Sequence, residues 1–260
     1  MCSLVTFADI GDQLRLDDRT VGLVIDGPFA ADLNAGGDNL VVRACDAVLK
    51  GNDAERPGFR LTKNLPLASG IGGGSADAAA ALRLLATRIT MSASDQLAIA
   101  RSLGSDVPFC LESRPALTIG RGDRLEAPPK FPALDAVLVN PGVASPTADA
   151  FRAYDVAPSP EGPNRAWPSA ELRTSRDTAR FLGGCRNDLE APAIGLTPQI
   201  GQVLELLRHQ PEALMARMSG SGATCFALVE DTKAAAELET RVRGLRPDWW
   251  IRRTTLQGSP

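Results

Sequence analysis

Four glycines within five residues, Gly70, Gly72, Gly73 and Gly74, run straight into an alanine- and leucine-rich stretch. Glycine accepts positive φ and lets the backbone approach a neighbour closely. The run therefore has to be a tight loop. Behind it, Ala78, Leu82, Leu85 and Ile89 recur at i, i+4, i+7 and i+11, the spacing of one helical face. In this reading Ser75 and Ala76 open the helix, and Asp77 is a first-turn acid that favours the helix dipole. N–H groups that converge at a helix N-terminus suit an anion. The segment from Pro66 to Ala80 reads as a phosphate cradle. It is not a Walker loop, because no lysine follows the glycines. A dinucleotide fingerprint needs a buried strand directly before it, and LTKNLPLAS is polar and contains Pro66. A flexible loop with close helix packing is the plain alternative.

Strands are expected at Leu4 to Ala8, Gln13 to Leu16, Val21 to Ile25 and Phe59 to Lys63, each short and separated by Gly and Asp turns. Asp38-Asn39 caps a helix over LVVRACDAVLK. Ser94 caps another that carries Leu97, Ala100 and Leu103 and stops at Gly104. Strand-like ALTIG and DRLEA follow. The stretch Ala127 to Pro132, APPKFP, reads as a boundary between residues 1–130 and 131–260.

Beyond it come a strand at Ala136 to Val139, a short helix at Pro146 to Tyr154 and a loop at Ala157 to Pro168. Thr197-Pro198 supplies an N-cap and first turn for a helix with Ile200, Val203, Leu204 and Leu207 on one face. Two strands, Leu214 to Met218 and Thr224 to Val229, flank the turn SGSGA. A helix faced by Ala235, Leu238, Val242 and Leu245 leads to a last strand at Trp249 to Thr254. This order fits a ferredoxin-like split βαβ unit. The fold class is α+β, with two domains.

A formal charge of −3 supplies no basic field for nucleic acid, so phosphate recognition has to be local. The cysteines, Cys2, Cys45, Cys110, Cys185 and Cys225, are scattered and form no C-x-x-C pair, which suits a reducing cytoplasm. His209 is the only histidine and takes a structural or solvent role, so no His-rich metal site is expected. The opening residues carry no signal or transit pattern, and no apolar run is long enough to span a membrane.

The segment P-L-A-S-G-I-G-G-G-S-A-D-A-A resembles the P-x-x-x-G-L-G-S-S-A-A motif of the galactokinase–homoserine kinase–mevalonate kinase superfamily. Its longer G-G-G-S form is similar to that of the diphosphocytidyl-methylerythritol branch. Four further stretches agree in order: Asp38-Asn39-Leu40-Val41 with Arg43-Ala44, Leu103 to Phe109, Arg186-Asn187-Asp188-Leu189-Glu190, and Ser219 to Leu228.

The resemblance implies an N-terminal domain of the ribosomal-protein-S5 type and a ferredoxin-like C-terminal domain. It implies a small-molecule kinase with ATP and Mg²⁺, acting on the 2-hydroxyl of the branch's methylerythritol acceptor in non-mevalonate isoprenoid synthesis. Pro66, Leu67, Ala68, Ser69, Gly70, Ile71, Gly72, Gly73, Gly74, Ser75 and Ala76 would bind ATP. Asp106 would be the catalytic residue that orients the acceptor hydroxyl and takes its proton. Gly220, Ser221 and Gly222 would help shape the substrate pocket, although a tight hairpin also explains them. Ser75 could touch metal or phosphate, or cap the helix. Asn187 and Asp188 could simply cap a helix. The expected state is a cytoplasmic monomer or weak homodimer without nucleic acid or membrane partners.

One superfamily segment is not found: an A-K-x-N-L strand followed by G-x-R-x-D-G-Y-H, whose lysine would pair with the aspartate. The first lysine here is Lys50, and the opening SLVTFADIGDQLRL resembles the stretch immediately after that segment in relatives. An absent N-terminal strand is the expectation, and Lys63, in a strand that matches another position, is not expected to substitute. The competing readings are an inactive ATP-binding relative, a kinase for homoserine or mevalonate, and, more distantly, a nicotinamide oxidoreductase.

Overall fold

The computed structural model describes residues 2–50, 55–120, 124–156 and 171–259. It divides into two compact units. The first comprises Met1–Val5, Ile10–Leu67 and Gly72–Ala127, and the second Thr6–Asp9, Ala68–Ile71 and Pro128–Pro260. The loop expected at Ala157 to Pro168 lies outside the described residues.

In the first unit, β1 (Cys2–Val5), β5 (Ala116–Ile119) and β6 (Arg124–Glu126) form an antiparallel sheet ordered β1-β5-β6. A second sheet, ordered β2-β4-β3, joins β2 (Gln13–Leu16) and β3 (Leu23–Asp26) to β4 (Phe59–Thr62). In it β4 runs antiparallel to β2, Gln13 opposite Thr62, and parallel to β3, Leu23 opposite Phe59. The helices are α1 (Leu40–Leu49), α2 (Gly73–Leu85), α3 (Ala93–Leu103) and α4 (Val107–Glu112). The α2 helix packs on α1, α3 and α4. It can do so closely because its buried face is mostly Ala78, Ala79 and Ala81, with Leu82 and Leu85. Arg83 on α2 donates to the carbonyl oxygen of Cys110 (2.8 Å), near the end of α4.

In the second unit, β7 (Leu134–Asn140), β8 (Met215–Met218), β9 (Cys225–Leu228) and β10 (Trp250–Leu256) form a sheet ordered β10-β7-β9-β8, with each neighbouring pair antiparallel. The helices α5 (Thr147–Val156), α6 (Ser175–Gly183), α7 (Glu190–Leu196) and α8 (Gln199–Arg208) lie in sequence between β7 and β8, and α9 (Thr232–Leu245) between β9 and β10. That order and connectivity are ferredoxin-like. Strand β7 is central and almost wholly buried. Val137 and Val139 join Ile200, Leu204, Leu238 and Ile251 in the core.

The elements depart from the sequence expectations at several points. The strand expected over Leu4 to Ala8 divides between the units: β1 ends at Val5 and Ala8 makes an isolated bridge with Leu256. Asp9 accounts for the break, because its Oδ1 accepts the Thr255 N–H at 3.0 Å and the Thr254 hydroxyl. Val21 does not enter β3. It is 96% exposed, and Gly22, with φ +72°, turns the chain before Leu23. Ser92, not Ser94, caps α3 by accepting the Asp95 N–H. The α8 helix begins at Gln199 with Pro198 as its cap, one residue later than expected. Leu245, the last residue of α9, is 57% exposed and leaves the core face to Ala235, Leu238 and Val242.

Candidate active site

Helix α2 opens at Gly73, two residues before the expected start, and Ser75 is its third residue. Its cap is Gly72, in the left-handed region at φ +70°, and no side chain caps the helix. Ser75 therefore does not cap it. The first N–H groups of an α-helix have no partner inside the helix. Here a helix of 13 residues presents those groups with a half-exposed Ser75 and an exposed Gly74 among them. A Cβ placed on Gly72 meets nothing within 4 Å, so the space beside the cap is open. This is the geometry of an anion site.

Below that N-terminus lies a buried charge cluster that the sequence does not foretell. Lys63 Nζ stands 2.5 Å from Asp12 Oδ2 and 2.9 Å from Asp77 Oδ2, with side-chain exposures of 3%, 2% and 9% respectively. Asp12 Oδ1 also accepts the N–H groups of Asn64 (2.6 Å) and Leu65 (2.9 Å). The cluster thus fastens the residue before β2, the segment after β4 and α2 to one another. A Cβ on Gly73 would lie 3.3 Å from Lys63 Nζ, so the cluster sits directly against the first residue of the helix. Asp77 is not a first-turn dipole residue but a buried ion-pair partner.

Burial pushes the Asp77 carboxyl up; the Lys63 ammonium pulls it back and Asp12 adds to the rise, leaving it at about 6. Burial pulls Lys63 down, but the Asp77 charge and the bonds to both carboxylates outweigh it, and its pKa rises. Lys63 is committed to these partners and is not a free cation. Period-two alternation was the available signal: Phe59, Leu61 and Lys63 all point to the buried face.

Asp106 precedes α4 at the cap position and is exposed, yet its side chain makes no capping bond. Its Oδ1 accepts the Ser105 hydroxyl at 2.9 Å. The carboxylate is therefore available at the surface of a helix that packs on α2.

In the second unit, the middle of the glycine loop meets the turn between β8 and β9, backbone on backbone. Gly70 has φ +73°, and a Cβ there would come within 2.6 Å of the Gly222 nitrogen and oxygen and of the Ser219 oxygen. Glycine is required at this position both for its φ and for the approach. The Ser219 hydroxyl donates to the Gly70 carbonyl oxygen (3.0 Å), and the Thr224 N–H to that of Ser69 (3.1 Å). Of the expected substrate residues, Gly220 is exposed, whereas Ser221 and Gly222 are buried. The Ser221 hydroxyl pairs with that of Thr147 at 2.8 Å, and its carbonyl oxygen accepts from Ser145 at 2.9 Å. The loop is therefore tied at its centre rather than flexible. His209 ends α8 with Nδ1 2.7 Å from the Glu205 carbonyl oxygen, a structural role.

Among known proteins, the family model for the GHMP kinases N terminal domain matches residues 39–114, and the model for the GHMP kinases C terminal region matches residues 172–245. A 4-diphosphocytidyl-2-C-methyl-D-erythritol kinase of Caulobacter vibrioides (strain NA1000 / CB15N) is 46% identical over 260 residues, spanning 98% of this chain and 90% of its own length. The enzyme of the same name from Xanthobacter autotrophicus is 46% identical over 266 residues, spanning 99% of this chain and 90% of its own. A crystal structure of 4-(cytidine 5'-diphospho)-2C-methyl-D-erythritol kinase superposes with a TM-score of 0.75 at 31% identity, over 99% of this chain and 90% of that one. A homoserine kinase from Cytophaga hutchinsonii shares the fold, with a TM-score of 0.69 at 21% identity. No helix of the described residues is long and apolar enough to cross a membrane. The two GHMP matches in order, the near full-length identity and the shared fold place this chain in the 4-diphosphocytidyl-2-C-methyl-D-erythritol kinase family of the GHMP small-molecule kinases, which take ATP as phosphoryl donor.

Proposed function

We propose that this chain transfers the γ-phosphoryl group of ATP to the 2-hydroxyl of 4-diphosphocytidyl-2-C-methyl-D-erythritol. The observation that carries the proposal is the 46% identity to enzymes of that name along 98% of the chain. The site geometry is in keeping with it. The loop Pro66 to Ala76 holds the ATP phosphates, with the N–H groups of Gly73, Gly74 and Ser75 directed at them by the uncapped end of α2. Phosphoryl transfer asks for positioning and charge neutralisation more than for covalent chemistry. Mg²⁺ entering with the nucleotide would supply part of that neutralisation. Among the described residues no three His, Cys, Asp or Glu side chains gather as a metal site.

Asp106 is the catalytic residue. Its exposed carboxylate accepts the hydrogen bond of the acceptor hydroxyl and takes its proton as the oxygen attacks phosphorus. The turn Gly220 to Gly222 borders the substrate, with the Gly220 backbone presented outward and Ser221 and Gly222 supporting it from behind. In this reading the enzyme works in the cytoplasm as a monomer or weak homodimer, and the net charge of −3 gives it no nucleic-acid partner.

An acceptor panel tests the assignment. With ATP and Mg²⁺, kcat/KM for 4-diphosphocytidyl-2-C-methyl-D-erythritol is expected to exceed that for homoserine or mevalonate by orders of magnitude, because a site built to bond a cytidine diphosphate leaves polar groups unpaired with the smaller alcohols. A preference for either small alcohol would refute it.

A further inference from the structure

We propose that Asn187 is a positioning residue of this reaction: its side-chain amide clamps the turn Ser219 to Gly222, and through it the Gly70 segment of the glycine loop. The proposal rests on the kinase reading above. Asn187 lies between α6 and α7, in the R-N-D-L-E stretch to which the mechanism gives no part. A capping asparagine needs only its oxygen, and Oδ1 does accept the Leu189 N–H at 3.0 Å. The amide nitrogen goes elsewhere. Nδ2 donates to the carbonyl oxygens of Met218 (3.0 Å) and Gly220 (2.7 Å), 31 and 33 residues away in sequence. An N–H donor on one side and two carbonyl acceptors on the other leave one orientation of the amide.

Glu190 holds the same turn from the opposite polarity. Its Oε2 accepts the Met218 N–H (3.1 Å), and its Oε1 receives Arg208 at 2.9 Å. Met218 is thus gripped at both its N–H and its carbonyl, and Gly220, the exposed member of the turn, at its carbonyl. From there the path is short. The Ser219 hydroxyl bonds the Gly70 carbonyl, and a Cβ on Gly70 would come within 2.6 Å of the Gly222 and Ser219 backbones. Backbones packed so closely that no methyl fits between them have little slack to absorb a displacement. A shift of the turn is therefore a shift of the loop, and small misplacements are costly in phosphoryl transfer.

The substitution Asn187→Asp keeps the shape and the acceptor for Leu189 but sets a carboxylate oxygen against two carbonyls. Asn187→Ser also removes both amide N–H donors, on a side chain too short to span to both carbonyls and without adding charge, and serves should the aspartate variant fold poorly. Two readouts are paired: amide hydrogen exchange at Ser219 to Gly222, and steady-state kinetics normalised to folded protein. The clamp predicts faster exchange at the turn and a loss of kcat on the order of tenfold to a hundredfold. KM for ATP should change less than kcat, because the N–H groups of Gly73 to Ser75, which face the phosphates in the kinase reading, lie outside the clamped segment. Asp188→Asn alters a carboxylate that pairs with the exposed Arg186 and should move neither readout. Unchanged exchange in both Asn187 variants overturns the clamp, whether or not the wild type phosphorylates the proposed acceptor. Faster exchange with unchanged kcat overturns the positioning role. Failure of the wild type to use the acceptor is a separate result, against the substrate and not against the clamp.

Discussion

Lys63 carries a charge to a place where 3% of its side chain meets solvent, and it does so between Asp12 and Asp77. Removing one partner from a buried ion pair costs about 3–5 kcal/mol, because the remaining charge is stranded. Lys63→Met leaves two carboxylates facing each other and is expected to lower the unfolding free energy by about that amount in a denaturant titration. Asp77 adds a pH dependence. Its folded pKa is about 6 against an ordinary 3.8, so between those values the folded state binds the extra proton and stability falls as pH rises. Above about 6 the penalty is constant. Relative to Asp77→Asn, the wild type should therefore lose on the order of 2 kcal/mol between pH 4 and pH 6. A flat difference across that range would contradict the assignment. Lys63, raised above 10.5, contributes fully at lower pH and loses its contribution as pH climbs through its folded pKa.

The elements test the glycine loop. Gly70 and Gly72 both have positive φ, at +73° and +70°. An alanine at either costs about 1–2 kcal/mol for the left-handed backbone. Only at Gly70 does the new methyl also strike backbone, at 2.6 Å, whereas at Gly72 it meets open space. Gly70→Ala should therefore lower the denaturation midpoint clearly more than Gly72→Ala, and equal losses would mean that the backbone contact is not rigid. At this scale the sequence was informative where periodicity is strong. The face of α8, those of α2 as far as Leu85 and of α9 as far as Val242, and the β7-β8-β9-β10 series were legible because apolar spacing records burial directly, whereas Ile89 falls beyond the end of α2 and Leu245 is exposed. Helix starts were less legible. A backbone cap such as Gly72 leaves no side-chain signature, and Ser92 and Ser94 compete for one N-terminus until the Asp95 N–H chooses between them. Asn187 was readable as a cap, but not as a clamp, because its partners lie more than thirty residues away.

For the whole molecule, the family, the fold class and the kinase chemistry were legible because five short motifs recur in order through the chain. The buried lysine cluster was not, since pairing between the residue before β2, the residue after β4 and α2 is a property of the tertiary fold. Folding and ligand binding should be linked. ATP that binds the folded state alone stabilises it by about 2.7 kcal/mol at a hundredfold excess over its Kd, so thermal unfolding with and without ATP and Mg²⁺ should shift upward.

Phosphoryl transfer from ATP to 4-diphosphocytidyl-2-C-methyl-D-erythritol, measured for the wild type and Asp106→Asn side by side, tests acceptor and catalytic residue together. One ADP should form per phosphate placed on the 2-hydroxyl, with the rate reduced about 10²- to 10⁴-fold in the variant and its thermal midpoint little changed, since Asp106 is exposed. No transfer to this acceptor, or transfer at an undiminished rate by Asp106→Asn, would contradict the proposed function.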